Sequence, residues 1–551
     1  MNRNGNNQLK LALEMGKFKV AIIGAGATGL VALKHCVNSE FEVTCFEQSS
    51  SIGGLWRYVP IDDNDKTNSP FVYRSVITNT SNPTTGFSDF PMPSDWPTFL
   101  PHRLMDKYYE SYAEHFNLYK HIKLNTIVIC VSKLTENNRW QIKYKPKSLT
   151  NISQDEEEQQ EEFDYVIVCS GRNYKPRMPE FLGQDLFGGK QMHSQAYKDI
   201  HGFEDKRIVV VGNGSSGIEI AVELSRVASQ VYLCTREGTI PHVFPRLRDR
   251  GRPLDQFATR FLTYYVPKLF TLYQLRKILK SQIEIHKQRG LAKQKPEEFF
   301  PGKQTFAINS EFYERLLSGT ISVKLNIREL RKDSSIVLVD NTILENIDTV
   351  IYATGYDMGF GFIDENSVRI GRNRNKEPFI NGDSIRVNQE GEDNCQSNDF
   401  TWLYKMMFPP HCPNIAFLGV FETAGSHNMT CELQARYISA LITGKISPLP
   451  TPEEMQKALE SQTDCSRVKT IIDDSGDNSE KKLSIKADWW RYNDSLAKEV
   501  GCYPKPSKIL LKFGFRMWKQ LLFGVPTSVQ YRLCGLDSWH DASEWMNIHN
   551  S

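Results

Sequence analysis

Two stretches of this chain share one pattern: an apolar strand, a glycine-rich turn, and a helix that opens directly from the turn. From Phe18 the chain reads FKVAIIGAGATGL, followed by VALKHCV and FEVTCFEQ. From Lys206 it reads KRIVVVGNGSSGIEIAVEL, followed by SQVYLCTRE. A strand that turns through glycine into a helix and returns as a strand is a βαβ unit, whose two strands lie parallel. Two such units predict an α/β fold with two Rossmann-like dinucleotide-binding domains. The length of 551 residues agrees, being too great for a single ordinary core.

The glycine spacing carries chemistry. Gly24, Gly26 and Gly29, with Ala25, Ala27 and Thr28 between them, form G-x-G-x-x-G after KVAII. The first glycine permits the tight turn, the second lets backbone approach a pyrophosphate, and the third lets helix pack on strand. Phosphate then rests on the helix N-terminus, where free N–H groups and the helix dipole favour negative charge. Gly212, Gly214 and Gly217 repeat the pattern after RIVVV. A glycine turn can also be purely structural, so the residue closing the next strand matters. Glu47 stands 23 positions after Gly24, and its carboxylate can accept both hydroxyls of an unphosphorylated ribose. The same count from Gly212 reaches Thr235, with Arg236 next. A carboxylate would repel a 2′-phosphate, whereas a guanidinium binds it. The first turn therefore suits FAD or NAD and the second NADP, unless Arg236 simply faces solvent. Two dinucleotide folds in one chain imply electron transfer, and NADPH reducing FAD is the economical pairing.

Composition narrows the alternatives. A formal net charge of +2 gives no reason to expect nucleic acid or an acidic polymer as partner. The 11 cysteines are scattered without a C-x-x-C pair, which fits reduced thiols in the cytoplasm better than a disulfide framework. That also speaks against a pyridine-nucleotide disulfide reductase, which needs a redox cysteine pair near the flavin. No metal-ligand cluster is expected. The N-terminus lacks the apolar core of a signal peptide, and no run of about 18 uncharged apolar residues suggests a spanning helix. The acidic run SQDEEEQQEE between WQIKYK and DYVIVCSG reads as a solvated loop joining two strands.

Between the two turns lies FGGKQMHSQAY, in which Phe187, Gly189, His193 and Tyr197 fit F-x-G-x-x-x-H-x-x-x-Y. That motif, flanked by both nucleotide turns, resembles the flavin-containing monooxygenases. GGLW at 53–56, VITNTS at 76–81, FSDFPMP at 87–93, YATGY at 352–356 and LYKMMFPPHCPNIAFLGV at 403–420 extend the resemblance, as do ELQARY at 432–437 and VQYRLCGLDSW at 529–539. It runs from about residue 18 to about 545. The resemblance implies an FAD-binding domain at 18–204 and 326–445 with an inserted NADPH-binding domain at 205–325. An N-terminal extension would occupy 1–17, and a C-terminal extension at 446–551 would pack on the FAD domain.

It also implies a reaction. NADPH reduces FAD, O2 adds to give a C4a-hydroperoxyflavin, and a soft nucleophile, an amine nitrogen or sulfide sulfur, takes the distal oxygen. Asn79 corresponds to the family's active-site asparagine, although on spacing alone it is equally a turn residue of a Thr/Asn/Ser-rich run. Gly54, Leu55 and Trp56, with Thr78 and Thr80 beside Asn79, match positions at the FAD. Ser216, Gly217, Ile218 and Glu219 match positions at NADP. Trp56 could as well be core packing. His193 reads as a structural or NADPH-positioning residue rather than a catalytic one. Tyr197 separates this chain from the related Baeyer–Villiger enzymes, which usually carry Trp there, so ketone oxygenation stands as the alternative, with uncoupled NADPH oxidation beside it. The family's animal members usually continue into a hydrophobic anchor, and the sequence ends at Ser551 without one. In KILLKFGFRMWKQLLFG at 508–524, Lys508, Lys512, Arg516 and Lys519 share one helical face without acids. This is either a core-packed helix with a solvated basic face or an interfacial helix touching the endoplasmic reticulum membrane. A homodimer is left open.

Overall fold

The computed structural model describes residues 18–60, 72–147, 157–172, 175–236, 238, 243–248, 251–267, most of 270–289, 307–357, 359–364, 367–368, 385–387, 393–395, 403–423, 425–460 and 486–549. The expected N-terminal extension and the first part of the acidic run lie outside them.

In chain order, the elements that matter for the site begin with β1 (Lys19–Ile23), α1 (Ala27–Asn38), β2 (Glu42–Phe46), β3 (Ile122–Lys123) and β4 (Tyr165–Val168). Then come β5 (Lys190–His193), β6 (Arg207–Val211), α2 (Ser215–Leu224), β7 (Gln230–Cys234), β8 (Ile321–Lys324) and β9 (Thr349–Tyr352). The last are β10 (Ile415–Phe417), α3 (His427–Ile442), α4 (Trp489–Val500) and α5 (Pro506–Phe523). The chain divides into two compact units. The first comprises Met1–Arg57, Asn82–Tyr174 and Met358–Ser551, and the second Tyr58–Ser81 and Lys175–Asp357.

The first unit is built on a five-stranded sheet in the order β10-β4-β1-β2-β3, every pair parallel. Val20, Ala21 and Ile22 of its central strand are fully buried, as a strand covered by helices on one face and chain on the other must be. Helix α1 is buried through Leu30, Val31 and Leu33 in one apolar cluster with Leu433 and Ile438 of α3 and with Trp490, Tyr492 and Leu496 of α4. Beneath this cluster sits a group of buried charges. Arg532, 3% exposed, pairs with Glu432 at 2.7 Å and Asp89 at 3.0 Å, and Lys34 of α1 pairs with Asp89.

The second unit repeats the plan. Its sheet runs β8-β7-β6-β9-β5, again all parallel, with β6 central. Two of its five strands, β5 and β9, lie outside the 205–325 span that the sequence suggested for a nucleotide domain.

Two expectations change. The acidic run is not all loop: Gln159–Phe163 is a strand, antiparallel to Trp140–Pro146. Charge neutralisation permits it. Glu161 meets Lys123 at 2.5 Å and Lys19 at 3.2 Å and also accepts from the Tyr144 hydroxyl, and Arg139 binds Glu162 at 2.8 Å. Although partial burial opposes ionisation, these donors bring the Glu161 carboxyl down to about 2. Helix α5 is likewise not one regular helix. Gly514 breaks it at φ 79°, ψ 179°, a conformation open essentially to glycine alone. Ile509, Met517 and Leu521 pack against Val529, Leu533, Ala542 and Met546, while Leu511 and Phe515 stand 87% and 64% exposed. No helix among the described residues is long and apolar enough to cross a membrane. The nine described cysteines are free thiols.

Candidate cofactor and active site

The two glycine turns are built to one template. Gly24 at φ 101° and Gly212 at φ 112° each occupy the left-handed region that favours glycine. A Cβ on Gly29 would lie 1.8 Å from the Gly24 carbonyl oxygen, and one on Gly217 would lie 2.1 Å from that of Gly212. Neither position can carry a side chain. The backbone crossing each turn matches too: a Cβ on Gly24 would meet the Cys169 carbonyl at 2.6 Å, and one on Gly212 the Ala353 carbonyl at 2.4 Å. The middle glycines serve as N-caps of α1 and α2, and neither Gly26 nor Gly214 provides a side-chain cap. The first N–H groups of both helices are thus left without a capping side chain from the turn, as a pyrophosphate cradle requires.

In the first unit, Ala25 lies between the glycines, fully buried, and its N–H donates to Glu47 Oε2 at 2.7 Å; the Ser49 N–H donates to Oε1 at 2.8 Å. Glu47 is 6% exposed, so backbone donors fix its carboxylate against the turn while each oxygen keeps accepting capacity. Ala27 and Thr28 begin α1, and Thr28 Oγ1 lies 3.5 Å from Cys431 Sγ. Gly53 donates its N–H to the Ala25 carbonyl at 3.1 Å, which brings the Gly54 backbone against Gly26. Leu55 is 45% exposed and Trp56 packs partly buried against the apolar cluster.

Two further contributors approach the first turn from distant segments. Ser170 abuts Gly24, and its Oγ is buried without a partner among the described residues. Gly419, at φ 73°, comes so close to Thr28 Oγ1 and His427 Nε2 that a Cβ would lie 2.8 and 3.2 Å from them. A buried hydroxyl with no partner among the described residues, helix N–H groups without a side-chain cap and a glycine-lined approach together fit a bound dinucleotide at this turn.

In the second unit, Thr235 closes β7. It is 3% exposed, and its buried Oγ1 has no partner among the described residues. Arg236 is exposed, with no ion-pair partner among the described residues. Ser216 is exposed at the start of α2, whereas Gly217 and Ile218 are buried. Glu219 points inward: its carboxylate accepts from Tyr73 Oη at 2.5 Å and from Arg246 at 2.8 Å. Burial raises the Glu219 carboxyl above the usual carboxylate range against the pull of those donors.

Asn79 belongs to this unit as well, and its Oδ1 accepts from Arg246 at 3.1 Å. Thr78 is buried, its hydroxyl donating to the Thr80 carbonyl at 2.8 Å. Ser81 is held through its N–H and its hydroxyl by Asp255, both at 2.8 Å. His193 receives the Gln195 N–H on Nδ1 at 3.1 Å, so its Nε2 donates to the Gly355 carbonyl at 3.0 Å. Burial lowers its pKa, and both nitrogens are spent on backbone, which suits a structural residue. Tyr197 is buried and packs edge-on against Tyr73 at 5.6 Å.

The family model described as flavin-binding monooxygenase-like matches residues 17–377 and 390–548. Dimethylaniline monooxygenase (N-oxide-forming) 2 of Oryctolagus cuniculus is 36% identical over 536 residues, covering 95% of this chain and 90% of that one. Flavin-containing monooxygenase 2 of Homo sapiens is 35% identical over 535 residues with the same coverage. Among solved structures, S-allyl-L-cysteine S-oxygenase from Allium sativum superposes with a TM-score of 0.60 at 23% identity, covering 97% of this chain and 99% of its own. Cyclohexanone monooxygenase from Rhodococcus bound to NADP+ superposes with a TM-score of 0.60 at 17% identity, covering 88% and 98%. The last two share the fold, and the duplicated parallel sheet is that of their two Rossmann-like domains. The chain belongs to the flavin-containing monooxygenase family and is an FAD-containing monooxygenase that uses NADPH and O2.

Proposed function

We propose that the turn at Gly24 holds FAD, that the turn at Gly212 holds NADPH, and that the enzyme oxygenates nitrogen or sulfur nucleophiles of small molecules. One observation carries the cofactor assignment: two turns of matched geometry end in opposite selectors, the buried carboxylate of Glu47 and the exposed guanidinium of Arg236. The substrate class rests on the relatives, one named for forming N-oxides and one for S-oxygenation.

When bound, FAD supplies the redox chemistry that takes a hydride from NADPH and activates O2. The chain's own residues bind and orient. Uncapped N–H groups of α1 and α2 hold the pyrophosphates, Glu47 accepts the ribose hydroxyls of FAD, and Arg236, with Thr235, takes the 2′-phosphate of NADPH. Gly54, Leu55, Trp56, Ser170 and Gly419 complete the FAD site. Asn79, with Thr78 and Thr80 shaping its turn, offers a neutral amide at the reaction site, able to donate without becoming a competing acid or nucleophile. We propose further that the exposed side of α5 touches a lipid surface.

The test supplies the purified FAD-loaded enzyme with NADPH, 18O2 and, in turn, N,N-dimethylaniline, methyl phenyl sulfide and a cyclic ketone, and analyses products by mass spectrometry. An N-oxide or sulfoxide carrying one 18O is the expected product. A lactone as the sole oxygenated product moves the enzyme to ketone oxygenation, and hydrogen peroxide alone makes it an NADPH oxidase.

A further inference from the structure

Four side chains of the second unit, Tyr73, Glu219, Arg246 and Asn79, form one hydrogen-bonded chain through a guanidinium. Arg246 Nη2 donates to Glu219 Oε1 at 2.8 Å and to Asn79 Oδ1 at 3.1 Å, and Tyr73 Oη donates to the other Glu219 oxygen at 2.5 Å. The group is well covered, with the side chains of Arg246 and Glu219 12% and 17% exposed and Tyr73 7% exposed.

The chemistry of the donor set fixes an orientation. A guanidinium has only donors, so the Asn79 atom facing it must be the oxygen. The amide is thereby locked in one of its two flips, and its Nδ2 hydrogens point away from Arg246. No described side chain or backbone oxygen accepts from them. Asn79 is thus presented as a donor. Glu219 has a separate part, since it balances the charge of Arg246. The amide then meets a neutral pair, and the guanidinium is not free to swing toward a phosphate. Glu219 sits in the first turns of α2, the helix that opens from the second glycine turn. One guanidinium therefore ties the placement of Asn79 to the element proposed to hold NADPH.

We infer that Arg246 is a positioning residue of the monooxygenase reaction, fixing the Asn79 amide as a donor toward the reacting atoms, with Glu219 as its charge partner. The inference rests on the reading that Asn79 lies at the reaction site. No sequence motif marks Arg246, and 167 positions separate it from Asn79.

Arg246→Met alone would leave the Glu219 carboxylate covered with no cation. The test therefore uses the charge-balanced pair Glu219→Gln/Arg246→Met and the milder Arg246→Lys. Each is made in wild-type and Asn79→Ala backgrounds. For the pair, FAD content is followed by absorbance and NADP+ affinity by calorimetry, and coupling is compared at saturating NADPH so that any loss of nucleotide affinity is separated from it. Product formed per NADPH oxidised should fall about tenfold or more, the order expected when a reacting group is held slightly out of place, with hydrogen peroxide rising to match. Arg246→Lys, which keeps the charge but not the fork, should recover part of the coupling. In the Asn79→Ala background neither change should lower coupling further.

A second readout needs no turnover. Asn79→Asp should keep or raise the melting temperature when Arg246 is present and lower it in the Glu219→Gln/Arg246→Met background. Additive melting shifts, or a further fall in coupling on top of Asn79→Ala, overturn the proposal. If Asn79→Ala uncouples the enzyme and the pair does not, Arg246 alone loses its role. If Asn79→Ala leaves coupling intact, the placement of Asn79 falls and the inference falls with it.

Discussion

Glu47 and Arg236 end corresponding segments of two superficially identical turns, and their surroundings differ as their proposed ligands do. Two backbone N–H groups hold Glu47 rigidly beside its turn, where a ribose hydroxyl needs a fixed acceptor. Arg236 lies in water beside the buried hydroxyl of Thr235, where a mobile, fully charged 2′-phosphate can be met. Under this assignment Arg236→Ala removes one charge-assisted bond, about 1.5–3 kcal/mol. The KM for NADPH should then rise by about 10- to 100-fold, while the KM for NADH, which lacks the phosphate, stays nearly constant. Steady-state kinetics with both nucleotides decide it; equal effects on the two would remove the assignment. At this scale the sequence is legible wherever chemistry depends on local spacing. It is silent where partners meet across the fold. Gly419 reaches the first turn from a distant segment, and Arg246 reaches Asn79 only after the second sheet has formed.

Among the elements, α5 departs most from a simple helical reading. Its periodicity left open a core helix or an interfacial one, and periodicity carries no information about the break at Gly514. The break turns part of the apolar set outward. Leu510, Leu511, Phe515 and Phe523 are 41%, 87%, 64% and 45% exposed, alongside the exposed Lys508, Lys512, Arg516 and Lys519. Water gains nothing from Leu511 and Phe515, whereas burying each in a lipid interface contributes about 1.5–3 kcal/mol, and each nearby lysine about 1 kcal/mol at an anionic surface. Wild-type enzyme is therefore expected to pellet with vesicles containing anionic phospholipid. Leu511→Ser with Phe515→Ser should cut that partitioning by at least about tenfold without lowering the melting temperature, because neither side chain is buried. Lys508→Gln with Lys512→Gln should remove only the salt-sensitive part. Wild-type protein that stays in the supernatant at every lipid concentration would rule the contact out. The strand Gln159–Phe163 teaches the converse. A run of glutamates reads as loop until Lys19, Lys123 and Arg139 arrive from other segments to neutralise it.

For the whole molecule, neither compact unit is one continuous piece of chain. The repeated βαβ pattern gave away the α/β class because a parallel strand pair and its crossover helix are local in sequence. The strands that complete each sheet are not local. In the second unit, residues 205–325 contain β6, β7 and β8, but β6 pairs on its other side with β9, and β9 with β5. A fragment cut to 205–325 would expose the inner edge of β6, with Ile208 to Val211 stripped of their ladder to Thr349–Tyr352. Such an apolar edge invites pairing with another copy. A fragment spanning 175–357 restores all five strands. It still lacks Tyr73, whose hydroxyl binds Glu219, and so is less stable than the same unit in the full chain. We expect the 175–357 fragment to be monomeric with a cooperative thermal transition, and the 205–325 fragment to aggregate or melt without one. Circular dichroism melts and size-exclusion chromatography of the two would show it. A cooperative, monomeric 205–325 fragment would mean that three strands and α2 suffice, and that β9 and β5 merely decorate a sheet already complete.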